Sequence, residues 1–226
     1  MINMQTFSNI EKPKTTMIKK LFIGVLVALS MTSCGSQEKP MEAAMDKQSA
    51  MDEVIMLRRS IRKWQDKAIA RDTLDIIMKH GINAPNGMGI QAYEVRVIDK
   101  PELLKDMSDA VVKDMPEVGK REGFKNIFVD APCVVFIAAY DDYDLSQVDC
   151  GLLGENIILS AWSMGIGSCC LGSSARMLNN SESAAPYMNK LDFSDGYKLL
   201  YCIALGYPDE TPDAKPRKEE KVRYIE

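Results

Sequence analysis

The residues best suited to meeting a ligand lie at the end of the stretch Asp149–Gly172, DCGLLGENIILSAWSMGIGSCCLG. Gly165, Gly167 and Gly172 bracket Ser168, Cys169 and Cys170. Glycines so spaced let the backbone come very close to something flat or to another chain. The usual side-chain catalysts are scarce. His80, the only histidine, falls in the last turn of a predicted helix before Gly81, where it complements the helix dipole. A Ser-His-Asp or Cys-His hydrolase therefore gets little support. Beyond Cys34, the cysteines at 133, 150, 169, 170 and 202 form no CxxC pair and no His-Cys spacing suited to zinc. No metal site is expected, and each cysteine sits in an apolar stretch that predicts a buried free thiol. Vicinal Cys169 and Cys170 should point away from each other. Arg58-Arg59-Ser60-Ile61-Arg62-Lys63 closes another predicted helix, where, taken alone, it does no more than offset a dipole.

The elements that must position these residues are legible in the pattern. Asp149 reads as an N-cap and Gly165 as a stop for a helix that is apolar on nearly every face from Ile157 to Met164, so other elements should enclose it. Upstream, a helix over Met51–Arg59 precedes one with Asp72 as N-cap and Gly81 as stop. A turn-rich loop, Ile82–Ala92, leads into a strand at Tyr93–Ile98, and an amphipathic helix follows over Pro101–Met115. APCVVFIAAY, Ala131–Tyr140, reads as a central strand buried on both faces. One or two short helices within Ser174–Lys190 precede another buried strand, Tyr197–Leu205. The tail ends in Val222-Arg223-Tyr224-Ile225, strand-like without a hairpin partner, which points to exchange between protomers. Helices and strands in no strict alternation predict an α+β domain.

Of the 226 residues, the first 33 do not read as part of the fold. Met17-Ile-Lys-Lys, an apolar run from Leu21 to Leu29, and Ser30-Met31-Thr32-Ser33-Cys34-Gly35 form a secretory signal whose end resembles a bacterial lipobox. Cys34 would carry the lipid, and residues 1–16 would be an upstream start. An uncleaved anchor is the alternative, for which the apolar run is short against the roughly 20 residues of a spanning helix. This divides the chain into a signal, 1–33, a flexible tether, 34–49, and a domain, 50–226. Export places the domain in the cell envelope; without use of the signal it would be cytoplasmic. Losing residues 1–33 changes 28 positive and 32 negative side chains to 24 and 31, moving the net charge from −4 to −7. That balance disfavours nucleic acid, and no basic amphipathic segment addresses a membrane.

Taken together, several motifs resemble the ordered signatures of the nitroreductase family. These are Arg58-Arg59-Ser60-Ile61-Arg62, Ala84-Pro85 with Gln91, Asn156 on the central helix ending in Gly165-Ile166-Gly167-Ser168, and Gly206-Tyr207-Pro208 before Lys215-Pro216-Arg217. The resemblance runs from about Val54 to Tyr224. It implies a three-layer fold, a mixed or antiparallel sheet flanked by helices, in an intertwined homodimer with FMN at the interface. It assigns Arg58, Ser60, Lys215 and Arg217, with neighbouring Arg59, to the ribityl phosphate, an anion that suits guanidinium forks and a hydroxyl. Arg62 would sit near the pyrimidine edge of the flavin, stabilising negative charge on the reduced ring. Leu171 and Gly172 match the loop whose backbone amide faces flavin N5, the hydride-transfer position, and Cys169 would pack against the ring. Pro85, Asn86, Gly87 and Gly89 correspond to a stretch contributed by the partner chain. This chain departs from the family pattern where Gly89 replaces an asparagine, Tyr93 a tryptophan and Leu171 an acidic residue. Asn126 is the nearest match to the family's ring-contacting asparagine.

The implied activity is ping-pong transfer of two electrons from a reduced donor, NAD(P)H in the family, to a nitroaromatic or quinone-like acceptor. Export separates the site from cytoplasmic NAD(P)H, so the donor is the open part of this reading. The Gly89 and Leu171 departures motivate an alternative, a lipid-anchored protein that holds flavin without turnover. A third reading is dehalogenation or flavin breakdown, for which the sequence lacks the lid insertion.

Overall fold

The structure, a computed structural model, describes residues 39–226. The predicted signal and Cys34 lie outside these residues. Four strands form one antiparallel sheet in the order β1-β2-β4-β3, with β1 at Tyr93–Ile98, β2 at Cys133–Tyr140, β3 at Gly167–Leu171 and β4 at Tyr197–Gly206. β2 is buried from Cys133 to Ala139 and pairs on both sides, as a continuous apolar run requires. Strand alternation sends its side chains to two cores. Val135 and Ile137 pack with Leu74 and Ile77 of α2 (Arg71–Ile82) and with Leu153 and Ile157 of α5 (Ser146–Ser163). Val134 and Phe136 pack on the other face with Leu104 and Met107 of α3 (Pro101–Asp114) and Ala175 and Leu178 of α6 (Gly172–Asn179). The result is helix, sheet, helix: a three-layer α+β fold. Two short helices, α4 (Pro116–Gly119) and α7 (Ala185–Lys190), complete the α3 side.

Several expectations are corrected. Residues 39–49, read as tether, are helical, because α1 runs from Lys39 to Leu57. Their Ala, Met, Glu, Lys and Gln content favours helix even without an apolar stripe. GSCCL, read as loop, is the edge strand β3; its small side chains carry little strand preference, and pairing with β4 decides it. Neither Asp149 nor Asp72 is an N-cap: α5 starts at Ser146 and α2 at Arg71, each without a side-chain cap. Nor is α5 enclosed, since Val148 and Leu152 on one face are 56% and 41% exposed. Its apolar surround is therefore not explained by this chain's own packing. The tail forms no strand, and Val222, Tyr224 and Ile225 are exposed.

Candidate functional site

The basic run after α1 is fixed against the sheet by its backbone. Ile61 N–H donates to the Ser168 carbonyl at 2.9 Å, and Ser60 bridges to Ser168 in parallel sense. Next to it, Gln65 N–H donates to Tyr207 O and Asp209 N–H to Lys63 O. The outer edge of β3 is thus closed by residues 60–61, and the segments 58–65, 167–172 and 207–210 form one assembly. Gly167 permits this closeness: a Cβ there would stand 2.7 Å from Ile61 Cγ1 and 3.0 Å from Pro208 Cγ. Trp64 anchors the run from behind, donating Nε1–H to Val129 O at 2.9 Å.

Of the expected residues, the Arg58–Arg62 run and Cys169–Gly172 share this assembly. Arg58 and Ser60 are half-buried and Arg62 is exposed. Arg59 turns its guanidinium onto the carbonyls of Met56 and Arg58, at 2.7 and 2.8 Å, and serves to finish α1. Lys215 and Arg217 lie on an exposed extended tail, with Arg217 Nη1 donating to Lys215 O. Just before them, Ala214 lines a groove of about 460 Å³ with Leu57, Arg59, Ile61 and Trp162, which brings the tail to the end of α1. Arg58, Arg62, Lys215 and Arg217 make no ion pair among the described residues. Cationic side chains outside any ion pair suit an anion such as a phosphate.

At the far end of β3, Gly172 is exposed at the first position of α6, with open space where a Cβ would stand. A group can approach its backbone directly. The side chains beside it are another matter. Cys169 and Leu171 share one strand face and point into the α3/α6 core, 3% and 8% exposed, so Cys169 does not present its thiol to a ring. Burial pushes that thiol's pKa up, with Arg62 pulling the other way, which keeps it protonated and non-nucleophilic. Cys170 faces the other side and is exposed, against the expectation of burial; all five described cysteines are free.

Pro85, Asn86, Gly87 and Gly89 are not brought to this assembly. Their loop enters β1, at the opposite edge of the sheet, about three strand spacings or roughly 14 Å across. It is tied instead to the first turn of α5, where Asp149 Oδ1 accepts the Gly87 N–H at 3.0 Å. Asn126 holds a turn, accepting the N–H groups of Phe128 and Asp130 at 2.8 Å each, and is not directed at a ligand. Sequence reasoning missed two residues. Glu210 accepts the Arg62 N–H at 2.5 Å and the Lys63 N–H at 3.2 Å, and nothing in its proline-rich surroundings signals this. Asp149 had one available signal, an acidic residue among apolar and small ones, which reads equally as a cap.

The model of the nitroreductase family matches residues 55–207. A putative NADH dehydrogenase/NAD(P)H nitroreductase of Archaeoglobus fulgidus is 28% identical over 165 residues, 71% of this chain and 86% of that one. A nitroreductase with bound FMN from Desulfitobacterium hafniense superposes with a TM-score of 0.70 at 26% identity, covering 78% of this chain and 98% of that one. Another with bound FMN, from Bacteroides fragilis, gives 0.67 at 26% identity, covering 77% and 97%.

Proposed function

The chain belongs to the nitroreductase family, and we propose that it is an FMN-dependent oxidoreductase moving electrons from a reduced nicotinamide to an electron-poor acceptor such as a nitroaromatic or quinone. The observation that carries this reading is the assembly at β3, where the Arg58–Arg62 run is bonded to Ser168 on the strand that leads into the open Gly172 at the start of a helix. FMN, when bound, supplies hydride chemistry that none of the chain's own side chains offers. The protein's part is to bind and orient. Arg58, Ser60, Lys215 and Arg217 take the phosphate, and Arg62 lends positive charge to the ring system. The Gly172 backbone amide offers a donor where a side chain would block approach. Cys169 and Leu171 shape the strand from the core side.

We infer further that the working unit is a homodimer. α5 leaves Val148, Leu152 and, in part, Leu159 and Trp162 uncovered along one stripe. A second copy lying antiparallel on that stripe would bring its α5 N-terminus, and the Gly87 loop tied there, toward this chain's β3 assembly. The exposed end Val222–Ile225 and the unpaired edge of β1 offer a second, exchanged contact. On this reading Pro85, Asn86, Gly87 and Gly89 complete the partner's flavin site. The signal and Cys34 support a lipid-anchored protein in the cell envelope.

The decisive experiment is the visible spectrum of protein beginning at Gly35, purified without added cofactor and then titrated with FMN. One flavin per chain, reduced anaerobically by NADH or NADPH, is the expected result. Colourless protein that binds no added FMN would overturn it. Flavin reduced by dithionite but by no biological donor would favour a binder without turnover.

A further inference from the structure

Asp149 has a task that flavin binding at β3 leaves unassigned. It is 2% exposed, one carboxylate oxygen holds the Gly87 N–H, and the other, Oδ2, is buried without a partner. Among the described residues the Tyr143 hydroxyl is the other buried side-chain oxygen with no partner. It too lies against Gly87, since a Cβ built there would stand 1.9 Å from the phenol oxygen. Two unpartnered oxygens converging on one glycine are costly to keep buried. They border the start of an exposed loop in which two non-glycine residues, Met88 and Gln91, hold φ of 52° and 54° on either side of Gly89. Such backbone persists only where its surroundings over-determine it. Inside the loop, Asn86 Oδ1 accepts the Gln91 N–H at 3.0 Å. From outside, the Asp149 carboxylate is the only side chain of another element hydrogen-bonded to residues 85–91, among the described residues.

We propose that Asp149 and Tyr143 form a latch across Gly87 that fixes the conformation in which the Pro85–Gln91 loop reaches the flavin of the other protomer. They are positioning residues for a site held by the partner copy. This rests on the cross-subunit flavin site proposed above. Gly87 is the residue that fits between them, because any side chain there meets Tyr143. Asp149 also stands in the first turn of α5, where a carboxylate complements the helix dipole. That ordinary role acts within its own protomer. The latch acts across the interface, and mixed dimers separate the two.

A protomer carrying Arg58→Ala loses its own phosphate contact but supplies an intact loop. A protomer carrying Asp149→Ala keeps Arg58 but supplies a slack loop. Each homodimer should bind FMN at least tenfold more weakly than wild type. The heterodimer, isolated through two different tags and titrated with FMN, should recover one site of wild-type affinity per dimer. A heterodimer with no tight site shows that Asp149 serves its own protomer and overturns the latch, as does wild-type affinity in the Asp149→Ala homodimer. Asp149→Leu, close in shape but without an acceptor for the Gly87 N–H, and Tyr143→Phe replace the alanine variant if it fails to assemble. In cofactor-free Asp149→Leu protein, amide exchange at Gly87–Gln91 should accelerate while that of β2 and β4 is unchanged. Unaltered exchange in the loop overturns the latch without reference to flavin. Wild-type protein that binds no FMN would instead sink the flavin reading and the trans role together.

Discussion

The two halves of the proposed site are held by different physical means. At the β3 edge, residues 60–65 are pinned by main-chain bonds to Ser168 and Tyr207, and the main chain of Asp209 returns one to Lys63. Such bonds survive most side-chain changes, and close packing at Gly167 makes the frame rigid. At the β1 edge the loop Pro85–Gln91 pairs with no strand. It keeps its shape through Asp149 and Asn86, with Met88, Gly89 and Gln91 all at positive φ. A charged phosphate needs donors at fixed positions, which a backbone-paired frame supplies. A segment that reaches another subunit needs an exposed loop, and side chains are what remains to hold it. Substitutions that disturb the close packing of the first half should therefore alter binding and fold together, whereas removing its solvent-facing charges should alter binding alone. At the second half, substitutions should alter binding with little cost in stability.

The largest expected effect comes from the charges on the frame. Arg58→Ala with Arg217→Ala removes two charge-assisted contacts, each worth about 1.5–3 kcal/mol, so FMN affinity should fall about 10²- to 10⁴-fold. Circular dichroism and thermal melting of the cofactor-free protein should be unchanged. Unaltered flavin content in the double variant would refute the phosphate assignment.

Next come the two glycines, which set the halves against each other directly. Gly167→Ala forces a Cβ to 2.7 Å from Ile61 and 3.0 Å from Pro208, side chains held in the frame. Overpacking of this kind costs about 1–3 kcal/mol, which should appear as a melting temperature lower by several degrees along with weaker FMN binding. Gly87→Ala meets the far end of the Tyr143 side chain, its hydroxyl and Cζ, and touches Leu145 only at van der Waals distance, so side chains and not backbone must give way. Its melting temperature should move by less than that of Gly167→Ala while FMN binding still weakens. Equal losses of stability in the two variants would erase the distinction between frame and loop.

This contrast also governs how much the sequence disclosed. β2 and β4 were legible because a buried strand writes itself as an apolar run, and the Arg58–Arg62 run was legible because an anion site needs those residue types. β3 was not, since GSCCL owes its strand state to β4 and to Ile61, partners remote in sequence. The α5 stripe reads as buried in sequence, because periodicity shows which residues avoid water but not whether this chain or another covers them. The family resemblance sets Cys169 against the ring, whereas strand alternation puts its thiol in the core. Asp149 looks like a helix cap in sequence because its partner, Gly87, is 62 positions away.

A smaller effect is expected within the loop. Asn86→Ala removes the side-chain acceptor of the Gln91 N–H, a neutral hydrogen bond worth about 1 kcal/mol at most in a half-exposed position. FMN affinity should fall by severalfold, with the melting temperature shifted by no more than a few degrees. A loss as large as that of the arginine double variant would mean the loop holds the cofactor itself and does not merely complete its site.

The smallest effect on flavin is predicted at Asp114, which belongs to neither half. Its carboxylate accepts Ser181 Oγ–H and Ser183 N–H at 2.7 and 2.8 Å on Oδ2, and Ser183 Oγ–H at 2.7 Å on Oδ1. The bonds from the Ser183 hydroxyl, the Ser181 hydroxyl and the Ser183 amide hold its pKa at about 2, below the ordinary 3.8. A depressed folded-state pKa means that this contribution to stability is fully present above the unfolded value. It is lost as pH falls through the folded one. Melting curves of wild type and Asp114→Asn should therefore differ at neutral pH, and the difference should shrink between about pH 4 and about pH 2. FMN affinity at neutral pH should be the same in both, because no element of the β3 frame or of the Gly87 loop touches this carboxylate in the hydrogen-bond network. Should Asp114→Asn weaken flavin binding as much as Asn86→Ala, loop effects would be indistinguishable from general loss of stability, and the separation of the site into a rigid frame and a latched loop would fail.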